Sequence, residues 1–98
     1  MATRGRSITL STSYQTAFDA TTDGGPCLFC TVYASGNDVT VQLTYAGATS
    51  DEFLCASGQT FAQVGAPTGG AQRPLITKIE VKAASAAGTA YVNAGPRA

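Results

Sequence analysis

Apolar and polar residues alternate along most of this chain, which is the pattern of strands that turn one face toward a core. The clearest example is VTVQLTY, in which the apolar positions are Val39, Val41, Leu43 and Tyr45. The residues between them are threonine and glutamine, so successive side chains are expected to point to opposite faces of a sheet. This segment is therefore predicted to be a half-buried strand with Tyr45 in the core.

Short segments of the same kind recur from one end of the chain to the other. They are RSITLST (6–12), LFCTVYA (28–34), VTVQLTY (39–45), EFLC (52–55), QTFAQ (59–63), LITKIEVK (75–82) and TAYVN (89–93). Turn residues separate them, so we expect an antiparallel β-sandwich or jelly-roll-like barrel of about seven short strands rather than βαβ units. The length fits one domain, 1–98, with a flexible N-terminal arm at 1–7 and a C-terminal tail at 94–98.

Two turns predict β-hairpins. The first is residues 35–38 (SGND), between LFCTVYA and VTVQLTY, and the second is residues 56–58 (ASG), between EFLC and QTFAQ. Two helical alternatives remain open: a capped turn within residues 49–57, and a single turn in AASAAG (83–88).

Charge is sparse, at 12% of residues, and six basic side chains balance six acidic ones. A neutral surface releases few counterions from a phosphate backbone, so no nucleic-acid partner is expected. No apolar run is long enough to span a membrane, and no apolar segment typical of a signal peptide follows Met1. We therefore expect synthesis in a cytosol, without membrane attachment.

The most suggestive motif is PCLFC, which contains Cys27 and Cys30; Cys55 is the third cysteine, and histidine is absent. A structural zinc site normally takes four Cys or His ligands. A redox pair would precede a helix, and no helical pattern follows here. Residues 27 and 30 should also point to opposite faces of a strand. Buried packing in a reducing compartment is expected, with a Cys30–Cys55 disulfide and metal or redox chemistry as the open alternatives.

No set of residues predicts catalysis. A serine triad lacks its histidine, and Lys78 and Lys82 lie on the predicted solvated face of a strand. The carboxylates, most of them in predicted turns, are Asp19, Asp23, Asp38, Asp51, Glu52 and Glu80. Adjacent residues such as Asp51 and Glu52 point to opposite faces of a strand. The glycine pairs also lack phosphate-binding spacing. We therefore predict a protein that is not an enzyme, with no catalytic, cofactor-binding or metal residues.

The remaining features concern binding to other molecules. The tyrosines Tyr14, Tyr33, Tyr45 and Tyr91 could stack against a sugar or a base, although an interface or core position is favoured because tyrosine is common in protein hot spots. The predicted outer faces carry Thr, Gln, Ser and Ala more than Lys and Glu. The terminal segments carry Arg4, Arg6 and Arg97, which suit contacts with partner carboxylates. These features predict assembly with other proteins.

The segments ITLSTSYQTAF, VYASGNDVTVQLTY and LITKIEVKAASAAGTAYVN, with a Gly/Pro-rich loop before the last, give the chain a full-length resemblance to small virion structural proteins of tailed bacteriophages. The resemblance implies a head-decoration (cement) protein that is made in the host cytoplasm and located in the virion. Such a protein bridges subunits of the major capsid protein, or contacts other virion proteins, as a homo-oligomer, with a trimer favoured. A tail, neck or spike component is the alternative in the same particle, and a carbohydrate-binding module is the alternative outside it.

Overall fold

The computed structural model describes residues 4–23, 25–45, 50–64, 75–83 and 88–97. Within these residues the chain forms strands and one short helix. In chain order they are β1 (Arg4–Thr9), β2 (Gln15–Asp19), α1 (Ala20–Asp23), β3 (Cys27–Ser35), β4 (Val39–Tyr45), β5 (Ser50–Cys55), β6 (Thr60–Val64), β7 (Ile76–Ala83) and β8 (Thr89–Arg97).

The strands form two four-stranded antiparallel sheets that pack face to face, which confirms the predicted all-β sandwich. Sheet I has the order β1-β8-β3-β6, and sheet II has the order β2-β7-β4-β5. One backbone pair, Cys27 with Ile76, joins the sheets where β3 meets β7. Consecutive strands change sheet at every connection except β4 to β5, which is the connectivity of a jelly roll.

Both predicted hairpins are wrong. Strands β3 and β4 lie in different sheets, so residues 36–38 arch over the end of the sandwich. Strands β5 and β6 are separated in the same way. Gly36 and Gly58 have positive φ values of 85° and 82°, and left-handed glycines reverse the chain in an arch as well as in a hairpin. The directly paired neighbours are β4 and β5.

Other boundaries also differ from the prediction. Strand β2 was not expected, and residues 50–55 form a strand rather than a helical turn. Residues 4–7 pair with β8, and residues 94–97 belong to β8, so these parts of the expected flexible arm and tail are strand. Residues 4–7 pair with 91–94 of β8, and Ala94, Gly95 and Arg97 pair with β3, so both ends of the chain are held in sheet I. The alternative helical turn in 83–88 falls largely on 84–87, outside the described residues.

The core lies between the two sheets and follows the predicted alternation. Its largest fully buried side chains include Leu43, Ile76, Ile79, Val32 and Val41. Strand β4 alternates buried and half-buried residues without a break, and Tyr45 is buried as expected. Because the inner faces of both sheets form the core, contact with other molecules falls to the two outer faces.

Candidate protein interaction face

The outer face of sheet I is built from rows of residues that lie opposite one another across four strands. The central row is Ser7, Tyr91, Tyr33 and Thr60. The row on one side is Gly5, Asn93, Thr31 and Ala62, and that on the other is Thr9, Thr89 and Ser35. None of the residues in these three rows carries a charge, and we call the surface formed by the three rows the neutral face.

A tyrosine pair lies at the centre of the neutral face. Tyr33 and Tyr91 are directly opposite on β3 and β8, with ring centroids 6.1 Å apart and ring planes tilted by 38°. Their exposed fractions are 41% and 48%. The sequence left Tyr33 between an interface and a second packed face, and in this chain it is exposed. Two adjacent large rings held on a rigid sheet offer apolar area at little further cost in side-chain entropy.

A close backbone approach shapes the edge of the neutral face. A Cβ atom at Gly5 would lie 2.8 Å from Oδ1 of Asn93, which is the residue opposite on β8. Glycine therefore lets the Asn93 side chain lie against the backbone of β1.

The outer face of sheet II is different, because it carries ionised side chains. They include Lys78, Glu80 and Lys82 on β7 and Glu52 on β5, as expected for the solvated side of LITKIEVK. The Nζ atom of Lys78 and a carboxylate oxygen of Glu80 are 3.8 Å apart. Leu54, on β5, is 70% exposed on this charged face. The two outer faces therefore offer partners very different electrostatics.

Tyr14 extends across the charged face. Its hydroxyl donates a hydrogen bond to Glu52, and its ring lies 4.5 Å from the Nζ of Lys82, measured to the centroid. Burial, then the hydrogen bond and charge of Glu52 and the charge of Glu80, raise the pKa of Tyr14 to about 12. Tyr14 is thus engaged within the chain, unlike the pair on the neutral face.

The cysteines are buried thiols, as predicted, with exposed fractions of at most 3%. The Cys55 thiol donates to the carbonyl oxygens of Gln59, at 3.2 Å, and Val32, at 3.5 Å. Burial raises the pKa of Cys27 to about 11. Cys27 and Cys30 were expected on opposite faces of a strand, but both are buried in the core, and at Cys27 β3 meets β7 of the other sheet.

The carboxylates are dispersed, and several are used in local contacts. Asp19 accepts hydrogen bonds from the backbone and hydroxyl of Thr21, which lower the pKa of its carboxyl group. Asp38 accepts from the backbone N–H of Ser57 at 2.8 Å and so ties the two arches together. Asp51 and Glu52 lie opposite Leu43 and Gln42, on opposite sides of β5. Within the described part of the chain, no three Cys, Asp or Glu residues gather where a metal ion could bind.

The two open sides of the sandwich are closed by different contacts. On the β1 and β2 side, Arg6 and Asp23 form an ion pair at 3.3 Å. On the β5 and β6 side, the rings of Phe53 and Phe61 pack with centroids 4.8 Å apart, and both side chains are partly exposed. Arg6, which was expected in a flexible arm, therefore has a partner within its own chain.

The neutral face could be foreseen only in part from the sequence. Its strands show Thr, Ser and Tyr at alternate positions, but the pairing of β3 with β8 brings Tyr33 and Tyr91 together across 58 residues of sequence (91 − 33 = 58).

Among the described residues, no helix is long and apolar enough to cross a membrane, and α1 has only four residues. Comparisons of the chain with protein-family models, with curated proteins and with solved structures find no match.

Proposed function

We propose that this chain is a non-enzymatic structural protein of a bacteriophage virion, which attaches to the capsid through its neutral face and bridges capsid subunits. The observation that carries the proposal is the uncharged face with the Tyr33–Tyr91 pair at its centre. Burying such a face removes no ionised group from water, so it avoids the desolvation cost of unpaired charges. Tyrosine is also among the residues that contribute most at protein interfaces.

The size of the neutral face favours attachment in many copies. Four strands at about 4.8 Å spacing and about five residues at 3.3 Å give roughly 300 Å² of projected area. A stable interface buries about 800 Å² per partner. One face alone is therefore small, and a repeating lattice that offers several contacts per assembly compensates through avidity. Binding to the assembled state in turn stabilises that state by mass action.

The fold is compatible with this role but does not favour it over other roles. Jelly rolls occur in viral capsid domains and in lectin domains. Because one fold serves many functions, the assignment rests on the neutral face rather than on the topology.

The central test measures binding to intact shells. Shells purified without this chain are incubated with the wild type or a variant and sedimented. Tyr91→Glu places a charge in the middle of the neutral face and is expected to weaken binding about 30-fold, as for a hot spot of about 2 kcal/mol. Leu54→Glu is the matched control, because Leu54 is also a large exposed apolar residue but lies on the charged face. Equal binding by the wild type and Tyr91→Glu would contradict the proposal.

Copy number separates the two virion roles. Quantitative mass spectrometry of purified particles should find about as many copies of this chain as of the major capsid protein if it decorates the head. A few copies per particle would instead indicate the tail, neck or spike role. Absence from particles would reject both.

Carbohydrate binding is the second candidate, and the exposed Tyr33–Tyr91 pair is the observation that favours it. Aromatic rings can stack on the apolar face of a sugar as they do on other flat apolar groups. A glycan array with the wild type and Tyr91→Ala tests it. Binding that Tyr91→Ala abolishes would support this candidate, and an array without signal would remove it.

A further inference from the structure

Three of the four edge strands carry features that disfavour pairing with another strand. Strand β1 contains Arg4 and Arg6, and β5 contains Asp51 and Glu52. Strand β2 has an irregular register between residues 16 and 18 and ends in an aspartate. Charges and bulges on edge strands are the usual protection against edge-to-edge association.

Strand β6 has none of these features. Its sequence, TFAQV, contains no charge, proline or glycine. Its register with β3 is unbroken from Thr60, opposite Tyr33, to Val64, opposite Phe29. Among the described residues, β6 pairs with β3 alone. Within the part of the chain that the structure describes, its other side is therefore a regular edge whose own residues carry no charge.

The backbone of β6 presents alternate hydrogen-bonding groups to that edge. The N–H of Ala34 donates to the carbonyl of Gln59 at 3.2 Å. In an antiparallel ladder, residues alternate between positions bonded to the neighbouring strand and positions turned away from it. Counting onward from Gln59, the backbone groups of Phe61 are bonded to β3, and those of Thr60 and Ala62 point away from the sheet.

The surroundings of this edge are apolar. Phe61 and Phe53 are partly exposed on the β5 and β6 side of the sandwich, whereas Arg6 and Asp23 close the other side. A strand added beside β6 would cover aromatic surface that water now reaches. Burial of that surface adds a hydrophobic gain of about 25 cal/mol per Å² to the backbone hydrogen bonds.

We propose that β6 pairs antiparallel with β6 of a second copy of this chain, about a two-fold axis at Ala62. Self-pairing there brings no charges together, whereas self-pairing of β1 would oppose arginines and that of β5 would oppose carboxylates. Ala62, exposed and small, leaves room at the axis. The two sheets I become one eight-stranded sheet, with both neutral faces on the same side. The contact is isologous, so it closes as a dimer.

Sedimentation equilibrium on the purified chain tests this pairing. The wild type is expected to be a dimer and Ala62→Lys a monomer, because the lysines would meet at the axis. Thr9→Lys is the matched control: Thr9 is exposed on the outer side of β1, the opposite edge of the same sheet, and this variant should remain a dimer. Circular dichroism establishes that each variant is folded. A wild-type monomer, a trimer, or a dimer that Ala62→Lys leaves intact would overturn the proposal.

A covalent readout covers the case in which Ala62→Lys does not fold. Ala62→Cys should be captured as a covalent dimer by a short bis-maleimide cross-linker, because directly opposed Cβ atoms lie about 4.5–5.5 Å apart in an antiparallel ladder. Thr9→Cys should stay monomeric on a denaturing gel, and the native thiols are buried. Equal cross-linking of the two variants would contradict pairing at β6. These measurements use the isolated chain, so their outcome is separate from that of shell binding.

Discussion

At the scale of single residues, a comparison of Gly58 with Gly88 distinguishes two costs of adding a side chain, namely a strained backbone and a steric clash. Both have positive φ, 82° and 101°. A Cβ at Gly58 would meet nothing within 4 Å, but at Gly88 it would lie 2.8 Å from the carbonyl oxygen of Ser35. Gly58→Ala is expected to cost about 1–2 kcal/mol for the left-handed backbone alone. Gly88→Ala should cost about 1 kcal/mol more, because backbone cannot move aside as a side chain can. Urea unfolding of both variants measures the difference, and equal losses would contradict it.

Residue-level burial was largely predictable, and its failures have local causes. Alternation assigned Val32, Val41 and Leu43 to the core correctly. It missed β2, where Ala17 and Phe18 are both buried although they are adjacent. The register of β2 with β7 shifts between Thr16 and Phe18, and such a bulge breaks the period of two on which the pattern depends.

At the scale of elements, the connection between β3 and β4 is the sharpest difference between sequence and structure. The SGND segment specifies a chain reversal, but the same glycine conformation serves a hairpin and an arch. Nothing local distinguishes them, since the partner of each strand is chosen by distant residues. Strand β3 pairs with β8 and β6, and β4 pairs with β7 and β5.

Engineered disulfides distinguish the arch from the hairpin. Thr40 and Leu54 are opposite each other on β4 and β5, so the double variant Thr40→Cys/Leu54→Cys should cross-link on oxidation. A hairpin would instead place Tyr33 opposite Thr40. In the sandwich these residues lie on opposite outer faces, so Tyr33→Cys/Thr40→Cys should keep two reactive thiols. The test is the count of maleimide-reactive thiols under native conditions, where the native cysteines are buried. Cross-linking of the second pair would support the hairpin and contradict the arch.

At the scale of the whole molecule, the neutral face depends on the order of the strands. The sequence indicates outer faces rich in Thr, Gln and Ser, but it does not show that the charges of β7 and β5 gather on one sheet. That separation follows from the jelly-roll connectivity, which sends β7 to sheet II and β8 to sheet I. The candidate site is therefore a product of topology, and a search for motifs could not have located it.

The same topology makes most strand pairs distant along the chain. Strand β1 pairs with β8 at the other end, and β4–β5 is the pair of consecutive strands. Folding dominated by such non-local pairing takes milliseconds to seconds, because loop closure precedes the gain from contacts. We expect the β4–β5 pair to form first and β8 to join late.

Matched valine truncations test this folding order. Val41 on β4 and Val92 on β8 are both buried, at 0% and 2% exposure, so Val→Ala at either position should cost about 2 kcal/mol. Val41→Ala should mainly slow folding, because its contacts are already present in the transition state. Val92→Ala should mainly accelerate unfolding. Stopped-flow refolding and unfolding in urea give both rates. If Val92→Ala slowed folding as much as Val41→Ala, the chain ends would already be paired in the transition state, and the β4–β5 pair would not be the local nucleus.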